Sequence, residues 1–206
     1  MSDGYGWDSA DIPESCAYIL PAVVKLLKQL SPHRICDLGS GNGNLAGALT
    51  AAGWQVVGVE RDATGVEISR RTHPDIPFYC MSVEDDPGVL LAAEDRFDAV
   101  VSTEVVEHLF APHLLPAFAR RLLVPGGYLI VSTPYHGYLK NLALSLADKW
   151  DDHHTPLWHG GHIKFWSRAT LTQLLEDNGF RVTAFSGVGR LPYLWKSMVL
   201  VAQAQS

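Results

Sequence analysis

Two groups of residues in this chain have types and spacings that could do chemistry. Glu104, Glu107 and His108 stand in the run EVVEH, and His153, His154, His159 and His162 crowd the stretch HHTPLWHGGHIKFWS. Carboxylates three apart share one face of a helical turn, with His108 at i+4 from Glu104. An imidazole of ordinary pKa accepts a proton readily near neutrality, so His108 is the candidate general base, at the start of a helix after a strand. With His162, the same residues make a set of two carboxylates and two imidazoles. Such mixed ligands suit Mg²⁺ or Mn²⁺ less selectively than Zn²⁺. His153 and His154 precede Thr155-Pro156; in an extended segment neighbouring side chains point apart, so the two are poor partners for one ion. His159 and His162 flank Gly160-Gly161, a flexible pair. The stretch reads as a polar loop with one ordered histidine rather than a four-histidine site.

These residues must be positioned by regular elements. Residues 15–30 carry apolar side chains at helical spacing, with Pro21 as a kink or early start. Residues 34–38 form a short apolar strand, followed by a glycine turn at 39–43 and a helix at 44–52 stopped by Gly53. Further strands are expected at 54–62, 76–83, from 97 and at 128–135, with helices near 63–72, after the fourth strand, and from 114 to a Pro-Gly-Gly stop. Ser167 is a plausible N-cap for a helix ending at Gly179, and two β-rich segments, 180–189 and 195–204, close the chain. Alternating strands and helices imply a mostly parallel sheet covered on both faces. The last two strands have no helix between them and pair antiparallel at one edge. Residues 135–166 break the pattern as a long insertion. Long insertions are often lids or binding loops, and Leu139, Leu142, Ala143, Leu146 and Trp150 lie on one helical stripe of this one. Tyr5, Trp7, Tyr135, Tyr138, Trp150, Trp158 and Trp166 fall where they could cover an acceptor.

The glycine turn follows Asp37 at the end of the first strand. Glycine lets a backbone turn sharply and approach a ligand closely, and ligands of open parallel sheets lie outside the carboxyl ends of the strands. Asn44 stands where the dinucleotide fingerprint needs glycine, and no Gly-Lys-Ser/Thr follows for a phosphate-binding loop. An acid two positions before the first glycine suits a cationic ligand better than a pyrophosphate. Glu60, ending the second strand, could accept both hydroxyls of a ribose. Ser82, Val83 and Glu84 end the third strand, and Thr103 and Glu104 end the fourth over the substrate side. Taken singly, Asp37 could cap its turn and Glu60 could be a solvated strand end.

The segments DLGSGNG, VVGVERD, CMSVEDD, FDAVVSTEVVEHL and LLVPGGYLIVSTP, in that order, resemble the class I S-adenosylmethionine-dependent methyltransferases. EVVEH and the later HIKFWS are similar to the ubiquinone-biosynthesis-type O-methyltransferases. The resemblance implies a Rossmann-like α/β fold: a mostly parallel seven-stranded sheet with an antiparallel edge strand, a reversed last strand and a lid insertion after strand five. It implies one domain over 1–206, with 1–30 as an N-terminal helical cap and 135–166 as the lid. It also implies that Asp37, Gly39, Ser40 and Gly41 hold the methionine part of S-adenosylmethionine and Glu60 the ribose. Arg61, Val83 and Glu84 would lie by the adenine, and Thr103 would complete the cofactor set. Ser82 departs from the aspartate that many relatives carry. Glu104, His108 and His162 are the catalytic candidates. Glu104, Glu107, His108 and His162 also resemble the metal site of small-RNA 3′-terminal 2′-O-methyltransferases, but the same EVVEH pattern occurs in metal-free relatives, and no metal is expected.

Composition bounds the rest. The 206 residues suit a single core, and the net charge of −6 argues against non-specific nucleic-acid binding. Cys16, Cys36 and Cys80 form no framework for disulfides or metal, so a reducing cytoplasm is the expected setting. No signal peptide or membrane span is visible. The expected function is methyl transfer to a small-molecule acceptor, at oxygen. The alternatives are metal-assisted 2′-O-methylation of a ribose or RNA 3′ end, and a non-catalytic cofactor-binding module. The acceptor and the oligomeric state are not legible.

Overall fold

The computed structural model describes residue 7 and residues 9–154, 156–157 and 160–205. Tyr5, Thr155, Trp158 and His159, singled out above, lie outside the described residues.

Seven strands form one sheet in the order β3-β2-β1-β4-β5-β7-β6. They are β1 (Arg34–Leu38), β2 (Gln55–Glu60), β3 (Phe78–Cys80), β4 (Phe97–Thr103), β5 (Leu123–Pro134), β6 (Phe180–Val188) and β7 (Ser197–Ala204). The first five strands pair in parallel. The last strand, β7, inserts between β5 and β6 and runs antiparallel to both, which produces the expected antiparallel edge.

Alternation along each strand divides the core in two. Cys36, Leu38, Val57, Val59, Val100, Leu129, Val131 and Leu200 face one side. There they meet α4 (Gly88–Ala93), α5 (Leu114–Leu122) and α8 (Arg168–Asp177) through Leu90, Leu115, Phe118, Leu122, Leu171 and Leu175. Ile35, Val56, Ala99, Val101, Ile130 and Val201 face the other side. There they meet α1 (Cys16–Leu30), α2 (Asn44–Ala51) and α3 (Ala63–Thr72) through Ile19, Val23, Leu27, Leu45, Leu49 and Val66. This double covering is why the strands read as near-continuous apolar runs.

Several elements depart from expectation. α4 answers to no element foreseen over 84–96. β3 is three residues long, so residues 81–85 form a turn rather than strand. β5 begins at Leu123, across a register shift against Phe97 and Ala99, and Gly126 takes φ 75° within it. The segment after β4 is a 3-10 turn, Val106–His108, and α5 does not begin until Leu114.

The insertion contains α6 (Tyr138–Leu146) and α7 (Trp150–His154). Its apolar stripe does not pack down: Leu139, Leu142, Leu146 and Trp150 are exposed. The buried residue of α6 is Lys140, whose Nζ donates to the Lys196 carbonyl at 3.2 Å. No helix among the described residues is long and apolar enough to cross a membrane.

The insertion ends where α8 begins, at a capping box. The Thr170 N–H donates to Ser167 Oγ at 3.2 Å, and the Ser167 N–H to Thr170 Oγ1 at 3.1 Å. Ser167→Ala is expected to lower unfolding stability by about 1 kcal/mol, the usual cost of losing such a cap. Urea denaturation checks this, and an unchanged midpoint would deny the cap its role.

Candidate functional site

The carboxyl ends of β1, β2 and β4 meet at the glycine turn. Gly39, Gly41 and Gly43 all have positive φ, at 83°, 54° and 83°. A Cβ at Gly39 would stand 2.4 Å from Val105 Cγ2, and one at Gly41 2.4 Å from Trp7 Cζ2. Both positions therefore need glycine for conformation and for space. The turn is tied to β2 by the Gly39 and Ser40 N–H groups, which donate to the Val59 carbonyl at 2.7 and 3.0 Å.

Glu60 is buried, and each of its oxygens accepts one backbone N–H, from Gly41 at 2.9 Å and from Asp62 at 2.8 Å. Burial raises its pKa, and the Asp62 and Gly41 N–H groups oppose the rise. A carboxylate has about four lone-pair sites, so both oxygens can still accept from a ligand. Asp62 caps α3, its Oδ1 accepting from the Thr64 and Gly65 N–H groups.

Asp37 is fully buried, and neither carboxylate oxygen has a hydrogen-bond partner among the described residues. Burial first, and the charge of Glu60 second, push its pKa to about 7, with only the Ala46 N–H acting the other way. Ser40 is also buried and its Oγ unpartnered among the described residues. A buried acceptor without a donor is costly to maintain, and here it lies beneath a turn shaped for close approach.

The other expected cofactor residues lie at or just past the carboxyl ends of β2, β3 and β4. Arg61 is exposed just past β2, while Val83 is half-buried and Glu84 exposed in the turn after β3. That turn is ordered by Asp85 Oδ2, which accepts the Ser82 N–H at 2.7 Å, and by Ser82 Oγ, which accepts the Glu84 N–H at 3.2 Å. Thr103 is half-buried at the end of β4. The ring of Trp7, one of the aromatics expected to cover an acceptor, lies against Gly41 and Gly65, on the glycine-turn side. The adjoining chain is held there by the Asn42 and Asn44 side-chain amides, which donate to carbonyls of residues 9–11.

Beyond β4 the backbone reverses at Glu104, which takes φ 56°. Its N–H donates to the Ser132 carbonyl at 3.1 Å, and its carboxyl accepts from Ser132 Oγ at 2.8 Å and Ser197 Oγ at 3.2 Å. Burial pushes Glu104 to about 7, against those two hydroxyls and the Lys140 charge. Glu107 is fully buried; its Oε2 accepts from Thr133 Oγ1 at 3.0 Å, and burial followed by the Glu104 charge holds it well above the carboxylate range.

His108 Nδ1 lies 3.2 Å from the Gly161 carbonyl, which assigns the proton to Nδ1 and the lone pair to Nε2. Nε2 stands 4.0 Å from Glu107 Oε1. The His108 and His162 rings meet edge-on at 4.9 Å. Burial lowers both pKa values, that of His162 to about 4. Glu107, His108 and His162 bring one ligand atom each within 4.8 Å of one another. Glu104 does not join that group, because the left-handed turn sends its carboxyl to Ser132 and Ser197. The helical face expected to carry Glu104, Glu107 and His108 together is therefore replaced by a 3-10 turn.

A second histidine cluster was not foreseen. Residues 150–154 are helical rather than extended, and His153 and His154 converge with His136 just past the end of β5. Burial first lowers the pKa of all three, to about 3 for His136 and about 4 for His153. His136 carried one signal, its position just beyond the carboxyl end of a central strand.

Comparison with known proteins puts this geometry in context. The sequence profile of a family described as Methyltransferase domain matches residues 12–184. The chain is similar to the ubiquinone biosynthesis O-methyltransferase of Bradyrhizobium sp. (strain ORS 278): 32% identical over 179 residues, 82% of this chain and 66% of the relative. It thus spans just under two thirds of that relative's length. Among solved structures it resembles magnesium protoporphyrin IX methyltransferase (ChlM) from Synechocystis PCC 6803 with bound SAH. That match has a TM-score of 0.68 and 19% identity, covering 91% of this chain and 82% of the other. It also resembles the methyltransferase domain of the bacterial protein CtHen1-CN, with a TM-score of 0.65 and 22% identity, covering 90% of this chain and 97% of the other. At these identities the two structures speak for the fold.

The raised Asp37 value has a measurable consequence. The folded protein keeps a proton that the unfolded chain releases near its ordinary value, about 3.9. The contribution of Asp37 to stability is therefore greatest below that value and is lost as pH rises toward about 7. Asp37→Asn is expected to flatten the fall in unfolding free energy between about pH 4 and about pH 7 and to exceed the wild type at the upper end. Parallel urea-denaturation profiles would contradict this.

Proposed function

The chain belongs to the methyltransferase-domain family, and from that premise we propose that it is an S-adenosylmethionine-dependent enzyme methylating a hydroxyl oxygen of a small molecule. The observation that carries the cofactor reading is Asp37: a fully buried, unpartnered carboxylate under a glycine turn. That arrangement fits a ligand bearing an ammonium group. S-adenosylmethionine, when bound, supplies a methyl group already activated on a sulfonium. Asp37 receives the ammonium, Gly39, Ser40 and Gly41 line its approach, and Glu60 accepts the ribose hydroxyls with its remaining lone pairs. Val83 and Glu84 border the adenine, with Arg61 beside it, and Thr103 faces the transfer side. Oxygen as the acceptor atom is supported by the name of the curated relative.

The chain must then orient the acceptor, exclude water and take one proton. His108 does the last: burial keeps the ring neutral, and Gly161 holds Nδ1 so that Nε2 accepts the acceptor's hydroxyl proton. Glu104 and His162 position the acceptor beside it.

A second reading is favoured by the convergence of Glu107, His108 and His162. In it a divalent ion at these residues would assist transfer to a ribose hydroxyl. Undiminished turnover in a strong chelator removes it.

His108→Ala is expected to lower kcat at least tenfold while leaving calorimetric affinity for S-adenosylhomocysteine nearly unchanged. Turnover is followed by S-adenosylhomocysteine release on whichever phenol or catechol of a panel the wild type methylates; wild-type rates in the variant would remove the base assignment. Glu60→Ala is expected to weaken S-adenosylhomocysteine binding about tenfold or more, the loss of charge-assisted hydrogen bonds. Unchanged affinity would contradict the ribose role.

A further inference from the structure

His136 lies two residues past the end of β5 and is 8% exposed; His154 ends α7 and is 9% exposed. His153 is half-buried beside it. The His136 and His154 rings stack at 5.4 Å between centroids, and His153 lies 4.9 Å from His154 and 5.9 Å from His136. One ring nitrogen from each lies within 4.8 Å of the other two. His136 Nε2 and both nitrogens of His154 are buried without a hydrogen-bond partner among the described residues.

Three buried ring nitrogens left unpartnered among the described residues, on two of three clustered imidazoles, are poorly accounted for as packing alone. A neutral imidazole has one nitrogen with a lone pair, and three such nitrogens within 4.8 Å of one another are a candidate metal-ligand set. Zn–N bonds in a tetrahedral site put ligand nitrogens about 3.3 Å apart. Phe165 packs edge-on against both His136 and His154, at 5.1 and 4.9 Å, and shields the trio with an apolar wall.

We infer that His136, His153 and His154 form a binding site for a transition-metal ion of the zinc class, which pins α7 to the first residues of the insertion, just past the carboxyl end of β5. The all-imidazole set selects against Mg²⁺ and Ca²⁺, which need oxygen ligands. Two of the ligands sit on α7 and one just beyond β5, so the ion closes a loop with 17 residues between His136 and His154. Charge around the trio is mixed. Lys140 and Arg190 oppose a dication, while Asp151 favours one at His154. The Lys140 ammonium suits an anionic fourth ligand, such as hydroxide or chloride, in the position that three histidines leave open. The inference stands apart from the methyltransferase reading, since it concerns what anchors the insertion.

The test uses the full chain, stripped with a chelator, desalted and titrated with Co²⁺ and then with Zn²⁺. One equivalent of Co²⁺ should develop the strong visible bands of a tetrahedral site, and Zn²⁺ should abolish them and raise the thermal midpoint. His153→Gln, at the least buried of the three, should weaken Zn²⁺ binding at least tenfold, and His136→Gln should do the same. Circular dichroism of the metal-free variants controls for folding. His162→Gln, which dismantles the Glu107, His108 and His162 group, should leave the bands in place. Absence of tetrahedral bands in the wild type, or bands lost in His162→Gln and kept in folded His153→Gln, would overturn the inference.

Discussion

The site is organised by carboxyl groups taken out of water at the carboxyl ends of adjacent strands. Asp37 is the penultimate residue of β1, Glu60 ends β2, and Glu104 and Glu107 follow β4. In each, burial is the largest influence and raises the pKa. An isolated buried carboxylate is expensive, so such a group finds donors, takes up a proton or waits for a ligand. The four differ in which of these they do. Glu60 takes two backbone N–H groups and so stitches the glycine turn to the start of α3. Glu104 and Glu107 take hydroxyls from Ser132, Ser197 and Thr133. Asp37 takes none and sits near neutrality. Burial is shared; among the four, Asp37 has both oxygens unpartnered among the described residues and Glu107 one.

Much of that frame was legible in the sequence, because strands covered on both faces leave unbroken apolar runs and their ends are marked by Asp37, Glu60 and Thr103. Alternation of strands and helices fixed the parallel order, and the missing helix between 189 and 195 exposed the reversed strand. The boundaries that failed did so for local reasons. Residues 81–83 continue an apolar run but turn, because Asp85 and Ser82 offer side-chain acceptors to the backbone. Residues 104–108 have helical spacing but begin with a left-handed residue. That conformation is set by Ser132, 28 positions away, and no local pattern carries it.

The insertion was the least legible part. Its apolar stripe suggested a helix laid on the domain, yet Lys140 turns inward and Leu139, Leu142 and Leu146 turn outward. The long aliphatic stem of lysine can line a buried space while its ammonium finds a carbonyl, here that of Lys196. Periodicity marks which residues share a stripe, not which side of the helix has a neighbour. His153 and His154 failed in the opposite sense. Adjacent side chains point apart only in an extended chain; on α7 they turn toward His136, 17 and 18 residues earlier in sequence.

The strained turn at Glu104 links these parts. Left-handed φ at a non-glycine residue costs on the order of 1–3 kcal/mol, and here it is held by three hydrogen bonds to Ser132 and one to Ser197. Its effect is to replace an α-helix after β4 with a 3-10 turn whose polar groups face the insertion. The Glu107 carbonyl accepts the N–H groups of Ile163 and Lys164, both at 3.0 Å, and His108 Nδ1 meets Gly161. The last residues of the insertion and the candidate base are thus fixed by the same three-residue turn. An α-helix there would have paired the Glu107 carbonyl within itself, leaving no anchor for residues 161–164. Orientation of the His108 ring and anchoring of residues 161–164 are therefore one structural event, carried by the Gly161 and Glu107 carbonyls.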